Sequence, residues 1–168
     1  MSIPSHSADN SGHSGGDSRG DLLKILERGV AAWNSWREEK SHPWPDLRKA
    51  DLYSANLSRA NLSRVLLRDA TLRMANLSRA TLDNADLTDS DLSGADLRSA
   101  SLQGANLTGA DLSQARLTGA DMRNAVLTDA RLGGAVLDGT DLRGAKGLTL
   151  QRFTGSRVSI DGFPILDR

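Results

Sequence analysis

Residues 85–114 read ADLTD SDLSG ADLRS ASLQG ANLTG ADLSQ, a run of five-residue units with leucine at the centre of each. The frame extends outward in both directions without insertion or deletion, from Pro45 to Gly144, giving 20 units. Typical units are Ala50-Asp51-Leu52-Tyr53-Ser54, Ala95-Asp96-Leu97-Arg98-Ser99 and Ala110-Asp111-Leu112-Ser113-Gln114. The centre is Leu in 19 units and Met122 in one; the position two before it is Ala in 16, with Pro45, Val65, Ser90 and Thr140 as exceptions. The residue just before the centre is most often Asp or Asn. The last two positions are Ser, Thr, Arg, Asp, Gly and similar.

A period of five suits neither standard element. An α-helix of 3.6 residues per turn would smear these leucines around every side. A strand alternates with period two, so an odd spacing would send successive leucines to opposite faces. The backbone must turn a corner every five residues, and four such units close a square coil. The central Leu and the Ala then point inward, and the other three side chains point out. Leucines one coil apart stack: Leu57, Leu77, Leu97, Leu117 and Leu137 make one column. Each buried leucine contributes roughly 1.5–3 kcal/mol. Ala fits where the corner leaves space for only a methyl group, so Val65 and Thr140 are expected to strain or widen theirs. Asp, Asn, Ser and Thr can bond nearby backbone groups and so favour turns.

This A-(D/N)-L-x-x pattern over residues 45–144 resembles the pentapeptide-repeat family. The resemblance implies an all-β solenoid, a right-handed quadrilateral β-helix. The unit count gives five coils and a rod about 24 Å long at roughly 4.8 Å per layer. A solenoid has two open ends that need covering. Asp21 to Lys40 reads as an amphipathic helix with Asp21 as N-cap. Its apolar stripe is Leu22, Ile25, Leu26, Val30 and Trp33, with Trp36 near the edge and Gly29 as a weak point. Pro43 and Pro45 stop the helix and place Trp44 beside the first coil. The organisation expected is a disordered tail over 1–20, a capping helix and linker over 21–44, the β-helix over 45–144, and a C-terminal cap or dimerisation segment over 145–168. In the last segment Thr149 could cap a short helical turn. Phe153, Val158, Ile160, Phe163, Ile165 and Leu166 form an apolar cluster that either covers its own coil or pairs with a second chain.

Composition narrows the function. Lys plus Arg and Asp plus Glu are both 21, so the net charge is zero. That balance argues against bulk electrostatic binding of nucleic acid or a membrane surface, though not against a local patch. No cysteine is present, which excludes disulfides and thiolate chemistry and fits a reducing cytoplasm. No apolar stretch approaches membrane-spanning length, and residues 1–20 lack a signal-peptide core. His6, His13 and His42 have no ligand-like spacing, and no His falls in the repeat, so neither a metal site, a cofactor nor a Ser–His pair can be placed. The expectation is a cytoplasmic, non-catalytic protein.

Assigning units in order gives four outer faces with net charges of −2, −1, +2 and zero, read from the residues. A solvated, charge-balanced surface is the plain reading. If a partner binds electrostatically, the Arg59–Arg79–Arg98–Arg116 stripe would take an anion, and Asp69, Asp86 and Asp89 would serve a basic partner. Leu66, Met74, Val126, Val136 and Tyr53 are apolar at outward positions. A binding or scaffold module with an unknown protein partner follows, as a monomer or C-terminal homodimer, and direct nucleic-acid binding is not expected. The family resemblance supplies an alternative: some pentapeptide-repeat proteins protect DNA gyrase by resembling a DNA duplex in width, shape and acidity. The weak acidity and the basic third face depart from that pattern. The Trp-bearing helix could also be an interface to another protein instead of a cap.

Overall fold

The computed structural model describes residues 18–39 and 44–148. From Asp46 onward every parallel bridge pairs a residue with the one twenty positions later, beginning at Asp46 with Leu66 and ending at Val126 with Lys146. Bridged residues fall in four columns, one for each side of a square. The first side starts at Asp46, the second at Asp51, the third at Asn56 and the fourth at Asn61. The residue that bridges is the one before the central Leu or Met122, and Lys146 continues the first column just past Gly144. Each side of the square is therefore a single short bridge, not a long strand.

Two alternating sets of hydrogen bonds build the coil. Between coils, the Leu47 N–H donates to the Leu66 carbonyl and the Leu66 N–H donates back to the Pro45 carbonyl, both at 2.8 Å. Within a coil, the Ala50 N–H donates to the Leu47 carbonyl at 3.1 Å and closes a four-residue turn. The third residue of that turn has positive φ, 58° at Lys49, and the same holds at the fifth position of every unit to Gly144. An i to i+3 bond with positive φ at the third residue is the signature of a type II turn. Lys49 still serves the ladder, its N–H donating to the Arg68 carbonyl at 2.9 Å.

The interior is aliphatic and closed. The central Leu residues and Met122 are all buried. The inward Ala positions are buried as well, except Ala55, which is partly exposed. Corner substitutions are absorbed without a change of register. Val65 is fully buried and its turn bond is 3.2 Å. Thr140 is fully buried too, with its Oγ1 donating to the Leu117 carbonyl at 2.8 Å and an ordinary turn bond of 3.0 Å. The expected widening is thus at most slight at Val65 and missing at Thr140, because the hydroxyl finds a carbonyl one coil below. Ser90 solves the same problem by donating to Leu87 at 2.7 Å.

The N-terminal flank differs from the expected single helix. It is two helices, α1 (Arg19–Glu27) and α2 (Val30–Glu39). Gly29, at φ 101°, separates them, its N–H bonded to the Leu26 carbonyl. Glycine just past a helix end takes this backbone conformation without a Cβ clash. The N-cap is Ser18, not Asp21: the Ser18 Oγ accepts from the Asp21 N–H at 3.3 Å and donates to the Asp21 carboxylate at 2.8 Å. The Ser-x-x-Asp spacing makes this a reciprocal cap, so Arg19 and Gly20 belong to α1 and not to the tail. Leu22, Leu26, Trp33 and Trp36 are buried in one cluster with the rod interior. Trp36 is well inside and not at the edge, its ring 5.0 Å from that of Trp33.

The helices meet the backbone of the first coil with polar groups. The Trp33 Nε1–H donates to the Asn61 carbonyl at 2.8 Å. Asn34 donates to the Arg59 carbonyl at 3.1 Å and accepts from the Asn61 N–H at 2.8 Å. Arg37 donates to the Ser63 carbonyl, and Arg19 to the Arg48 carbonyl, each at 2.9 Å. Trp44 is exposed. Residues 1–17 of the tail expected over 1–20, the linker residues 40–43, and the C-terminal cluster from Thr149 to Arg168 lie outside the described residues.

Candidate functional site

The outer surface is made by three positions of each unit, and each has its own chemistry. Wherever Asp or Asn precedes the central Leu, its Oδ1 accepts the N–H of the residue after that Leu. Examples are Asp51 from Tyr53 at 3.1 Å, Asn76 from Ser78 at 3.1 Å and Asp111 from Ser113 at 2.8 Å. That N–H points out of the ladder, so only a side chain or water can satisfy it. Ser101 has no such acceptor, and Asp83 from the preceding coil takes over, accepting from the Gln103 N–H at 3.1 Å. The Asp or Asn of the repeat is therefore a local turn brace.

Where Arg follows the central Leu of an Asp-bearing unit, the two outward side chains pair. Arg48 with Asp46 (2.6 Å), Arg98 with Asp96 (2.5 Å), Arg123 with Asp121 (2.7 Å) and Arg143 with Asp141 (2.6 Å) all do so. Residues two apart on a strand share a face, which brings the two groups together. Hydrogen bonds from these arginines hold the carboxyls of Asp46, Asp96, Asp121 and Asp141 below the ordinary aspartate value, despite partial burial that pushes the other way.

This pairing redraws the charged patches. Of the basic stripe, Arg98 is neutralised by Asp96, and the charge of Arg116 also pulls on Asp96. Arg59 and Arg79 are exposed, stacked at one corner column, and form no ion pair with any described residue. The four do not form a vertical line. Arg59 and Arg79 sit at the corner, Arg98 just after the centre and Arg116 just before it, so the stripe crosses the third side diagonally. The acidic group is engaged throughout. Arg68 reaches Asp69 at 3.8 Å and Asp89 at 3.4 Å, and Asp86 accepts from the Thr88 N–H and hydroxyl at 3.1 and 2.6 Å. Among outward apolar residues, Leu66, Val126 and Val136 are half-buried, whereas Tyr53 and Met74 are exposed.

The corner column also holds a signal that sequence reading passed over. Every glycine of the repeat except Gly133 stands at the fifth position, where φ is positive. Several lie one coil above a side chain that leans across them. A Cβ at Gly94 would sit 2.6 Å from the Met74 sulfur, and one at Gly104 would sit 2.7 Å from the Asn84 Oδ1. Among the described residues no His, Asp and Glu are grouped so as to hold a metal ion. All three histidines fall outside them.

A twenty-residue parallel coil with leucine and alanine inside and a braced polar surface defines a quadrilateral β-helical solenoid. The family model for pentapeptide repeats matches residues 46–84, 75–114 and 105–144. The chain belongs to the pentapeptide-repeat family, whose right-handed quadrilateral β-helix is the architecture of its repeat region. Among curated proteins no sequence matches it. Similar solved structures include the pentapeptide-repeat protein Rfr23 from the cyanobacterium Cyanothece 51142, at 24% identity over 89% of this chain and 100% of that one, with a TM-score of 0.49. A second is a pentapeptide-repeat protein from Nostoc PCC 7120, at 28% identity over 75% and 94%, TM-score 0.47. A third comes from the thylakoid lumen of Arabidopsis thaliana, at 28% identity over 66% and 72%, TM-score 0.45.

Proposed function

We propose that this protein is a non-catalytic binding module: a rigid rod of five coils, capped at its N-terminal end by α1 and α2, that presents a side surface to a protein partner. The observation that carries this reading is the state of the outer groups. The hydroxyls, amides and carboxylates of the repeat are largely consumed in bracing turns and pairing with neighbours, as with Ser93 and Thr108 on the Asp91 and Asn106 side chains. The carboxylate oxygens beside these hydroxyls, such as Asp91 beside Ser93 and Asp86 beside Thr88, also accept a backbone N–H, which favours a bracing role over that of a general base. The capping role of the helices is supported by the Trp33, Asn34 and Arg37 bonds to first-coil backbone groups. A helix held by its own fold in this way is poorly suited to be an interface for another chain. Action in the cytoplasm fits a chain without cysteine.

A gyrase-protecting duplex mimic would need a continuous stripe of free acidic groups. The engagement of Asp69, Asp86 and Asp89 by Arg68 and Thr88 disfavours it. The test is an affinity pull-down from the native cell extract against a variant with its outward residues scrambled. Retention of a specific partner by the natural chain alone is the expected result, and equal recovery from both baits would remove the reading. A supercoiling assay run in parallel should show no effect on gyrase or its inhibitors at high protein excess.

A further inference from the structure

We propose that the second and third sides of the first two coils, residues 50–59 and 70–79, form a docking surface for an acidic segment of another protein that turns with the coil at the Ala55 corner. The proposal rests on the binding-module reading above and names where and what it binds. Three observations meet there.

The first is an open backbone edge. In the next coil the N–H groups of Thr71 and Asn76 and the carbonyls of Thr71, Arg73, Asn76 and Ser78 all bond to the coil before. Their first-coil counterparts are the N–H groups of Asp51 and Asn56 and the carbonyls of Asp51, Tyr53, Asn56 and Ser58. None of these has a partner among the described residues. Arg19, Trp33, Asn34 and Arg37 of the helices bond to Arg48, Arg59, Asn61 and Ser63, on the first side and around the fourth. Ala55, between the two open sides, is the one inward alanine of the first coil left half-buried. Such an edge is a template for an added strand.

The second is unneutralised charge. The two stretches carry Arg59, Arg73 and Arg79 against Asp51 alone, so three positive charges less one negative leave +2. None of the three arginines forms an ion pair with a described residue, whereas Arg48, Arg68, Arg98, Arg123, Arg131 and Arg143 each have a carboxylate. The third is exposed contact area. Tyr53 and Met74 are 58% and 55% exposed, and Tyr, Met and Arg are the side chains enriched at protein interfaces.

The chemistry of the edge selects the occupant. It offers four carbonyls and two N–H groups. A peptide strand brings donors and acceptors to match. A phosphate backbone brings acceptors only and would leave the carbonyls unmet. A second copy stacked end to end is obstructed by α1 and α2 on the other two sides. Carboxylates on the added strand would meet Arg59, Arg73 and Arg79 at the rim, where charge pairs set specificity.

The test uses the full chain and fluorescein-labelled Glu-Val-Glu-Val-Glu-Val, its Lys-Val counterpart, and a thymidine hexanucleotide, read by anisotropy. The expected result is saturable binding of the glutamate peptide alone, weaker at about 300 mM salt than at about 50 mM. R59D/R79D should weaken it at least about tenfold. Aspartate already occupies this backbone position at Asp69 and Asp89, so the variant should fold, with far-UV circular dichroism as the check. R123D/R143D, on the fourth side, should leave affinity unchanged. A glutamate peptide with N-methylated valines, unable to donate, should lose binding. No saturable binding, equal binding of the lysine peptide, tighter binding of the oligonucleotide, or indifference to N-methylation would each overturn the proposal. Failure of the peptide while the pull-down still retains a partner would sink this surface and spare the binding-module reading.

Discussion

Leu97→Ala tests the stacked interior most directly. Leu97 is 0% exposed and stands in the middle of its column, with Leu77 and Leu117 one coil to either side. The substitution removes three carbons, worth roughly 2.4 kcal/mol at about 0.8 kcal/mol each. A cavity term adds to this and brings buried Leu→Ala changes to about 2.7–5.0 kcal/mol. The upper half of that range is expected here, because the layer cannot collapse. The Leu97 N–H is tied to the Arg116 carbonyl at 2.8 Å and the Asp96 N–H to the Ala75 carbonyl at 2.9 Å, which fixes the spacing on both sides. Urea unfolding gives the measurement, followed by far-UV circular dichroism for the rod and tryptophan emission for the Trp33–Trp36 end. The control is Ser99→Asp, two residues on, exposed and at a backbone position where aspartate recurs; it should change stability by no more than about 0.5 kcal/mol. Comparable losses for the two variants, or a Leu97→Ala loss below about 1 kcal/mol, would refute the inward stacking of every fifth side chain.

Further outcomes follow from other contacts. Gly94→Ala should cost about 1–2 kcal/mol for its φ of 66° alone, plus the clash with Met74; pairing it with Met74→Ala should recover the clash component, measurable as non-additivity in a double-mutant cycle. Trp33→Ala should cost about 3–5 kcal/mol, whereas Trp33→Phe, which keeps one aromatic ring but loses part of the indole and leaves the Asn61 carbonyl unbonded, should cost less, about 1–3 kcal/mol; equal stability of all three in thermal melts would argue that the helices do not close the rod. The carboxyls of Asp46, Asp96, Asp121 and Asp141 titrate lower when folded than when unfolded, so their contribution is present above the unfolded value of about 3.9 and lost as pH falls through the lowered folded value. Stability measured from pH 7 downward should therefore stay level until about pH 4 and then decline, and Asp96→Asn should flatten part of that decline.

The square coil was legible because its cause is local and repeated. Leucine, or Met122 once, at the centre of each unit and a small residue two before it leave no other backbone that buries both, so sequence alone set the period and the inward columns. The role of Asp and Asn was half legible. Their turn preference was plain, but the particular N–H they brace was not, since it is defined by which groups the ladder leaves over. The seven glycines at the fifth position encoded the positive-φ corner and went unread, because thirteen units place other residues there at φ from 52° to 64°. The helical flank was misjudged at both Ser18 and Gly29, where capping geometry outweighed the apolar stripe.

Sequence determined the fold because each five-residue unit carries its own instruction. Tertiary structure alone decided which charges are free. Arg98 and Arg79 stand on the same side of the coil, yet Arg98, just after the central Leu, is closed by Asp96, while Arg79, at the corner, forms no ion pair with a described residue. It alone also decided that α1 and α2 bond to the first and fourth sides of the first coil, while the second and third sides have no such bonds among the described residues. That follows from the direction in which the chain enters the coil and from which backbone groups remain unpaired there, and neither is written in any single repeat.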